Sequence, residues 1–486
     1  MGVSLFTVRV VLDVLGTVDY GLYNVVGGIV SMFSFLSGTM ASASQRFFAF
    51  ELGRNNYEQL KKTFSMTMTI YVIIAAVILI LSETVGLWFL NYKMNIPPER
   101  LDAAQWVYQF SILSFMMTMF TIPYNAAIIA QEKMKMYAYV SIIEVILRLL
   151  IVYFLLESSY DKLKVYAILM FIVTTLITLI YRMYTIRKFK IYRYSFYWNS
   201  DLFKEIMSYS GWNLFGALAS VSNNQGINIL LNIFFGPVVN AARGIAFQVN
   251  NAVTQFVQNF MTASRPQIIK YYASGEKQQM LRLAFQSSKY AYLLLFIVSL
   301  PIFLETKYVF TLWLKQIPDH AILFTRLTII ATFFNALSLS LMTVVQATGK
   351  IKKYQSIIGG IMLLNLPISY LFLKLNFSPE IVFYIFIFTS AISLALRLVL
   401  LKEIVDFSIK NYLKEVIAPV LFISLIAYII PLLLQGILKF GFIRFLLISV
   451  SSVLVTLIAT FFLGLSKKEK SYFFSMINKM KKSRGI

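Results

Sequence analysis

Two pairs of opposite charges lie inside apolar segments of the sequence. Arg9 and Asp13 are four residues apart, and so are Glu144 and Arg148. On a helix this spacing puts both side chains of a pair on one face, where they can neutralise each other. An ionisable group at membrane depth is costly and usually functional. The pairs therefore predict either ion pairs that join helices or charges that line a water-filled cavity, with Asp13 and Glu144 as candidate ion-coupling carboxylates.

Amide side chains are concentrated on two consecutive apolar segments, 209–235 and 239–263. A helix that faces lipid cannot carry so many amides, and packing between helices explains only a few of them. We therefore expect both segments to line a wet cavity whose amides can hydrogen-bond hydroxyl-rich material such as sugar. The candidate binding amides are Asn223, Asn224, Gln225, Asn228, Gln248, Asn251 and Gln255.

Arginines within and at the ends of the apolar segments are candidate partners for an anionic group. The planar guanidinium can bind phosphate oxygens in a bidentate manner. The candidates are Arg9, Arg46, Arg148, Arg243 and Arg265. For Arg46 and Arg265 the main alternative is ordinary loop charge, whereas Arg243 lies on the side of the membrane that is expected to be poor in basic residues.

The composition indicates that membrane helices position these groups. Of 486 residues, 59% are hydrophobic and 13% are charged, whereas a soluble domain carries about 25% charged residues. Gly, Pro and charge clusters separate fourteen predicted spans. The first span is short for a crossing of about 20 residues, so we expect its helix to begin upstream, the alternative being a short, tilted helix. The predicted spans are 3–16, 21–44, 62–90, 104–130, 137–157, 164–186, 209–235, 239–263, 281–304, 319–346, 354–374, 379–401, 415–436 and 442–464.

The loop charges predict an orientation. The net charge is +23. When alternate loops and the adjoining span ends are grouped, one side carries 31 Lys and Arg residues and the other carries 11. The positive-inside rule makes the richer side cytoplasmic and puts both termini there. The basic segment 467–486 is then a cytoplasmic tail, either solvated or lying on the anionic inner leaflet.

The sequence also repeats itself at an offset close to 220 residues. The segment TMASAS at 39–44 corresponds to NFMTAS at 259–264, and EKMKMY at 132–137 corresponds to GKIKKY at 349–354. Gly16 corresponds to Gly236 under the same shift. The repeat unit contains six spans, and an even number gives both halves the same topology, which is typical of alternating-access transporters.

The predicted fold class follows from the spans and the repeat. We expect an all-α integral membrane protein with about 14 transmembrane helices, in two pseudo-symmetric six-helix bundles related as a parallel repeat, plus two extra C-terminal helices. The N-terminal bundle is 1–200 and the C-terminal bundle is 201–408, followed by two additional helices at 409–466 and the basic tail at 467–486.

Several function classes are disfavoured by what the sequence lacks. It contains no Cys and a single His, His320, so disulfides and thiolate metal sites are excluded and a His-based centre is not expected. Walker A, HExxH and GxSxG motifs are absent. We therefore predict neither an enzyme nor a cofactor. No nucleic-acid partner is expected, because the basic charge lies between apolar spans.

Three segments carry a resemblance to a known family. They read LGTVDYGLYNVVGG at 15–28, SASQRFF at 42–48 and AAIIAQEK at 126–133. They resemble the Wzx-type polysaccharide flippases of bacteria, which belong to the multidrug/oligosaccharidyl-lipid/polysaccharide (MOP) exporter superfamily. The resemblance extends from Val8 to about the twelfth span, and the two-bundle repeat agrees with that superfamily.

The resemblance implies a substrate, a location and partners. The substrate would be an oligosaccharide unit on undecaprenyl diphosphate, as in lipopolysaccharide O-antigen synthesis, carried across the bacterial inner membrane by alternating access. The diphosphate would meet the arginines and the sugars the amides, while the two extra helices would lie near the lipid tail. Membrane lipid, a polysaccharide polymerase and glycosyltransferases are the implied partners.

Two alternatives remain open at this point. A proton- or sodium-coupled multidrug or cation antiporter of the same fold would use Asp13 as its ion site. Organic cations prefer an acidic cavity, whereas the candidate cavity charges here are mostly arginine, which favours an anionic substrate. A membrane-embedded glycosyl- or acyltransferase is disfavoured by the scarcity of His and by the two-bundle repeat.

Overall fold

The structure is a computed structural model. It describes residue 11 and residues 14–16, 19–23, 26–27, 33–92, 94, 96–314, 316–465 and 469–471. Regular structure in these ranges is entirely helical. Arg9 and Asp13 lie outside the described residues.

Fourteen helices are described, and they fall into two compact units. Unit 1 is Met1–Ala217 with Ile269–Gly275, and unit 2 is Leu218–Ile268 with Glu276–Ile486. In unit 1 the helices are α1 (Ser34–Gly53), α2 (Tyr57–Tyr92), α3 (Pro98–Ala130), α4 (Met134–Glu157) and α5 (Lys162–Lys188). Two long helices, α6 (Ser200–Phe235) and α7 (Pro237–Ala273), run from one unit into the other. Unit 2 continues with α8 (Lys277–Leu304), α9 (Thr306–Trp313), α10 (Ala321–Thr348), α11 (Ile351–Lys374), α12 (Ile381–Val405), α13 (Ile409–Ile437) and α14 (Phe442–Gly464).

Ten of the described helices are long and apolar enough to cross a membrane, judged by length and composition: α2 to α5, α8 and α10 to α14. The helices α6 and α7 have 36 and 37 residues, but their amides make them less apolar. The predicted fold class, a multi-pass all-α membrane protein, is confirmed. From the third span onward, each predicted span corresponds to one helix. The ends agree to within six residues, except that α6 begins nine residues before its predicted start and α7 continues ten residues beyond its predicted end. The predicted division of the chain at 200 and 408 stays a prediction.

The backbone at the turns repeats with the sequence. A positive φ is uncommon outside glycine, so its recurrence at matched positions marks matched turns. Three pairs of positions, each 217 or 220 residues apart, have positive φ: Gly16 and Gly236 (77° and 78°), Asn55 and Gly275 (55° and 80°), and Glu132 and Gly349 (58° and 75°). The corresponding loops of the two halves therefore turn in the same way, as the internal repeat predicts.

The middle of α2 departs from regular helix geometry at Ser82–Gly86, which forms a π-helical turn. The hydroxyl of Tyr108 on α3 donates to the carbonyl of Ser82 at 2.7 Å. A Cβ atom at Gly86 would collide with that hydroxyl. The glycine therefore permits α2 and α3 to approach, and the tyrosine satisfies a carbonyl that the wider turn releases.

Polar contacts fasten α13 and α14 to α8 at both ends of the helices. At one end the buried Glu305, which follows α8, accepts hydrogen bonds from Arg444 at 2.8 Å and Gln435 at 3.1 Å. At the other end Lys289 of α8 donates to the carbonyl of Gly464 at 2.6 Å. Because these groups are largely shielded from water, removal of one partner would leave a buried charge or polar group unpaired.

Candidate functional site

The two faces of α7 have opposite chemistry. Small and branched apolar side chains on one face pack against α8, α10 and their neighbours in unit 2. The other face is exposed and carries amides at spacings of three and four residues, which keep them on one side of the helix. We call this exposed set the amide face: Gln248, Asn251, Gln255, Gln258 and Asn259.

The amide face requires polar surroundings. The amide of Gln255 donates to Asn259 at 3.2 Å, but a single contact of this kind leaves most of the hydrogen-bonding capacity of five amides unused. Hydrocarbon offers no hydrogen bonds, and an amide transferred into it without partners is destabilised by several kcal/mol. This face of α7 therefore lines water or a polar ligand.

Arg243 lies one to two turns before the amide face on the same helix, and its side chain is buried. It is 8% exposed. Its guanidinium donates to the backbone carbonyl of Asn224 at 2.9 Å and to the side chain of Asn228 at 3.3 Å, and it stacks on the ring of Phe247 at 4.2 Å. In the part of the chain that the structure describes, its Nε has no hydrogen-bond partner and no carboxylate oxygen lies within 4.0 Å of the guanidinium.

Arg243 forms part of a small pocket in unit 2, of about 20 Å³, which is room for roughly one water molecule. Asn223 from α6 and Asn365 from α11 supply its polar wall, and Phe383 of α12 contributes to its apolar wall. The side-chain oxygen of Asn223 is buried and, within the described ranges, has no hydrogen-bond partner. The pocket thus combines an unused cationic donor with an unused acceptor.

A buried cation without a counter-ion is unfavourable, and the amide contacts reduce this penalty only in part. An anionic oxygen at Arg243 would remove it, because hydrogen bonds between ions are about twice as strong as those between neutral groups. Chemically, the arrangement can bind one oxygen atom of an anionic group and can orient it beside neutral amides.

Asn365 belongs to this pocket but was not among the predicted site residues. It is 1% exposed and accepts a hydrogen bond from Ser369 at 3.1 Å. The signal in the sequence was a single amide within an apolar span, two residues before Pro367. That pattern alone does not distinguish a pocket residue from a packing contact.

The structure brings some of the predicted residues together and separates others. In unit 2, Asn223, Asn224 and Asn228 surround Arg243, while Gln248, Asn251 and Gln255 follow along α7. Gln225 is exposed on α6, and Arg265 is partly buried further along α7.

Arg46 of unit 1 lies in the C-terminal half of α1 among aromatic rings. Its guanidinium is 4.5 Å from the ring centroid of Phe47, 4.8 Å from that of Phe50 and 5.4 Å from that of Tyr209. The carboxylate of Glu205 is 3.7 Å away. Aromatic faces and a carboxylate therefore already stabilise this cation.

Arg148 and Glu144 form an ion pair on α4. Arg148 donates to the same carboxylate oxygen from its Nε at 3.1 Å and from a terminal nitrogen at 2.7 Å. The two side chains are 48% and 37% exposed. The geometry agrees with mutual neutralisation at this spacing, and both residues remain accessible.

A second charged cluster in unit 1, formed by Asp19, Arg100 and Asp161, was not predicted. Arg100 at the start of α3 donates to Asp19 at 2.8 Å and to Asp161 at 2.7 Å. Asp161 also caps α5 by accepting from the backbone of Leu163 at 3.0 Å. Burial raises the pKa of Asp161, but the hydrogen bonds from Arg100 and from the α5 backbone outweigh it, so the net effect is a lowered pKa.

Known proteins resemble this chain in part of its sequence and in its fold. The family model described as MatE matches residues 1–154. No curated protein sequence matches the chain.

Solved structures match over most of the chain. A MOP superfamily transporter from Pyrococcus furiosus is 12% identical with a TM-score of 0.67, and the match covers 84% of this chain and 93% of that one. A multidrug resistance MATE family transporter in an outward-facing conformation is 12% identical with a TM-score of 0.69, covering 83% and 91%. The MATE transporter ClbM in complex with Rb⁺ is 14% identical with a TM-score of 0.62, covering 84% and 94%. The chain is thus a multi-pass membrane protein with the fold of the MATE transporters.

Proposed function

We propose that the protein is a flippase that moves undecaprenyl-diphosphate-linked oligosaccharide across the bacterial inner membrane by alternating access. The observation that carries the proposal is the state of Arg243, which is buried, hydrogen-bonded only by neutral groups, and left with an unused Nε among the described residues. A diphosphate offers the anionic oxygens that such a guanidinium binds.

The amide face supports the sugar part of this proposal. Neutral amides can both donate to and accept from hydroxyl groups, and five of them follow one exposed side of α7 on the same helix as Arg243. An oligosaccharide diphosphate carries both chemistries in one molecule. Along α7 the buried Arg243 comes before the row of amides, so one substrate molecule could place its diphosphate at Arg243 and its hydroxyl-rich part along the amides.

The alternative is a proton- or sodium-coupled multidrug or cation antiporter. The outward-facing neighbour is a multidrug resistance transporter, and ClbM was solved with Rb⁺. The Pyrococcus furiosus transporter is described as having a binding pocket of reverse polarity that suggests a different function. An antiporter of this chain would use Asp13 as its ion site. A buried arginine in the binding region disfavours an organic cation by direct repulsion, so the flippase is the better-supported proposal.

Reconstituted protein tests the two functions against each other. Proteoliposomes would carry a fluorescent undecaprenyl-diphosphate oligosaccharide in one set and a cationic dye in the other. We expect movement of the labelled lipid to the opposite leaflet, measured by its accessibility to a membrane-impermeant quencher, and no dye uptake. Dye uptake driven by a proton or sodium gradient, without lipid movement, would establish the antiporter instead.

A further inference from the structure

A second pocket of unit 2 is far larger than the one beside Arg243. Its volume is about 850 Å³, within the range of about 300–1,000 Å³ that is typical of small-ligand sites. Its walls are the first three turns of α8, the connection before α13 with the first turns of α13, the end of α14, and Glu469. The loop charges predict that this end of the unit is cytoplasmic.

The α8 wall of this pocket is cationic. Arg282 and Lys289 are seven residues apart, so they lie on the same face of the helix about 10 Å apart along its axis. Lys289 is 8% exposed, and its ammonium donates to the carbonyl of Gly464 at 2.6 Å. Among the residues described, no carboxylate oxygen lies within 4.0 Å of that ammonium. The carbonyl of Gly464 and the ring of Tyr290 at 5.2 Å do not neutralise this buried ammonium, so an additional anionic partner is favourable.

Carboxylates also line the pocket. They belong to Asp406, Glu415 and Glu469, and Glu415 is exposed. Glu469 accepts hydrogen bonds from Gln286 at 2.7 Å and from Tyr290 at 2.6 Å. Asp406 is 3.7 Å from Lys277. The pocket therefore presents both cations and carboxylates, which is complementary to a ligand that carries both signs.

The position of the pocket indicates that such a ligand comes from the membrane. Leu281, Phe285 and Leu463 add an apolar surface to its lining. It lies at the end of α14, whose outer face exposes Leu454, Leu457 and Ile458. An apolar surface of this kind on a spanning helix contacts lipid chains. A headgroup in the pocket could thus continue into acyl chains along α14.

We propose that this pocket binds the headgroup of a zwitterionic aminophospholipid, with the phosphate at Arg282 and Lys289 and the amine at Glu415 and Glu469. This site is separate from the Arg243 pocket, and its occupancy does not depend on what the protein transports. The bound lipid would fill the junction between α8, α13 and α14 and stabilise the position of the two extra helices.

Native mass spectrometry of the full-length protein in detergent tests the proposal. The protein would be offered equal amounts of phosphatidylethanolamine and phosphatidylglycerol. We expect at least about fivefold preferential retention of phosphatidylethanolamine, and a loss of retention of roughly tenfold in Arg282→Gln and Lys289→Met, since each variant removes a charge-assisted contact. The matched control is Lys353→Gln, a lysine that pairs with Glu403 outside the pocket.

Glu415→Gln distinguishes the two ends of the headgroup and keeps the test valid if Lys289→Met does not fold. Glu415 is exposed, so the variant is expected to fold normally, to keep phospholipid binding and to lose the preference for the amine over the glycerol headgroup. Equal retention of the two lipids by the wild-type protein would overturn the proposal. Stabilisation by soluble O-phosphoethanolamine alone would also overturn it, because the site would then serve a soluble ligand.

Discussion

Arg243 and Arg148 both lie in predicted spans, yet their surroundings differ. Arg148 is half exposed and neutralised by Glu144 one turn away. Arg243 is buried, is held by Asn224 and Asn228, and leaves its Nε without a partner in the described chain. An arginine with its own carboxylate has little remaining demand for an anion, whereas one surrounded by amides keeps that demand. The contrast separates a self-contained ion pair from a candidate anion site.

The largest effect is expected from Arg243→Gln. The variant removes the charge and the bidentate donor but keeps hydrogen-bonding capacity, so transport of the lipid-linked substrate should fall by about 10- to 100-fold, corresponding to the loss of hydrogen bonds to a charged group. Initial rates in proteoliposomes measure the effect. Arg243→Lys keeps the charge but lacks the planar pair of donors, so its transport rate should be intermediate. Wild-type rates in Arg243→Gln would remove Arg243 from the binding site.

A smaller effect is expected from Arg148→Gln, and a second substitution should reverse it. The single variant leaves the carboxylate of Glu144 unpaired at membrane depth, and we expect transport to fall by about tenfold or less. The double variant Glu144→Gln/Arg148→Gln removes both charges and should return to within about twofold of wild type. A double variant as impaired as the single one would instead assign Arg148 to substrate binding, and the same transport assay distinguishes the two outcomes.

The contrast between the two arginines could not be predicted from sequence. The spacing of Glu144 and Arg148 does predict their pair, because residues four apart on a helix are neighbours whatever the fold. The pocket at Arg243 is formed by four helices, and the pocket residues of α11 and α12 lie more than 100 residues after those of α6 and α7 in the chain, so tertiary packing alone brings Asn223 and Asn365 to the same place. Contacts of that kind follow from tertiary packing and leave no local pattern.

The coarse architecture, in contrast, could be predicted. Apolar segments of membrane length must be helical, since lipid cannot satisfy an exposed backbone. The internal repeat predicts matched turns at Gly16 and Gly236, and both residues have a positive φ. The ion-pair cluster at Arg100 was missed because its carboxylates, Asp19 and Asp161, lie 81 and 61 residues away in sequence.

Substitutions on the amide face are expected to have smaller effects than those at Arg243 and Arg148, because the amide groups are neutral. We expect Gln255→Leu to slow oligosaccharide transport by about two- to tenfold, the range for one neutral hydrogen bond. A substrate that carries the diphosphate and lipid without sugar should be unaffected by the same variant. The control is Phe256→Leu at the next, exposed and apolar position. An equal loss for both substrates in the reconstituted assay would show that the amide face does not contact sugar.

The smallest expected effect concerns a second neutralised charge of unit 1, at Asp161. Because the folded protein lowers the pKa of this carboxyl, its contribution to stability is present above the ordinary value of about 4 and is lost as the pH falls through the folded pKa. Asp161→Asn should therefore lower the melting temperature at pH 7 by roughly 1–2 °C, and the difference from wild type should shrink toward pH 3.

Thermal unfolding of the purified protein across that range measures the effect of Asp161→Asn. Glu99→Gln, at an exposed neighbouring carboxylate, is the matched control and should show no such pH-dependent difference. We expect the difference in melting temperature to shrink as the pH falls, because protonation of Asp161 weakens its contacts with Arg100 and the α5 backbone while Arg100 stays charged. A difference that grows as the pH falls would mean that Asp161 destabilises the folded protein in its charged form, and Asp19 would then be the carboxylate that neutralises Arg100.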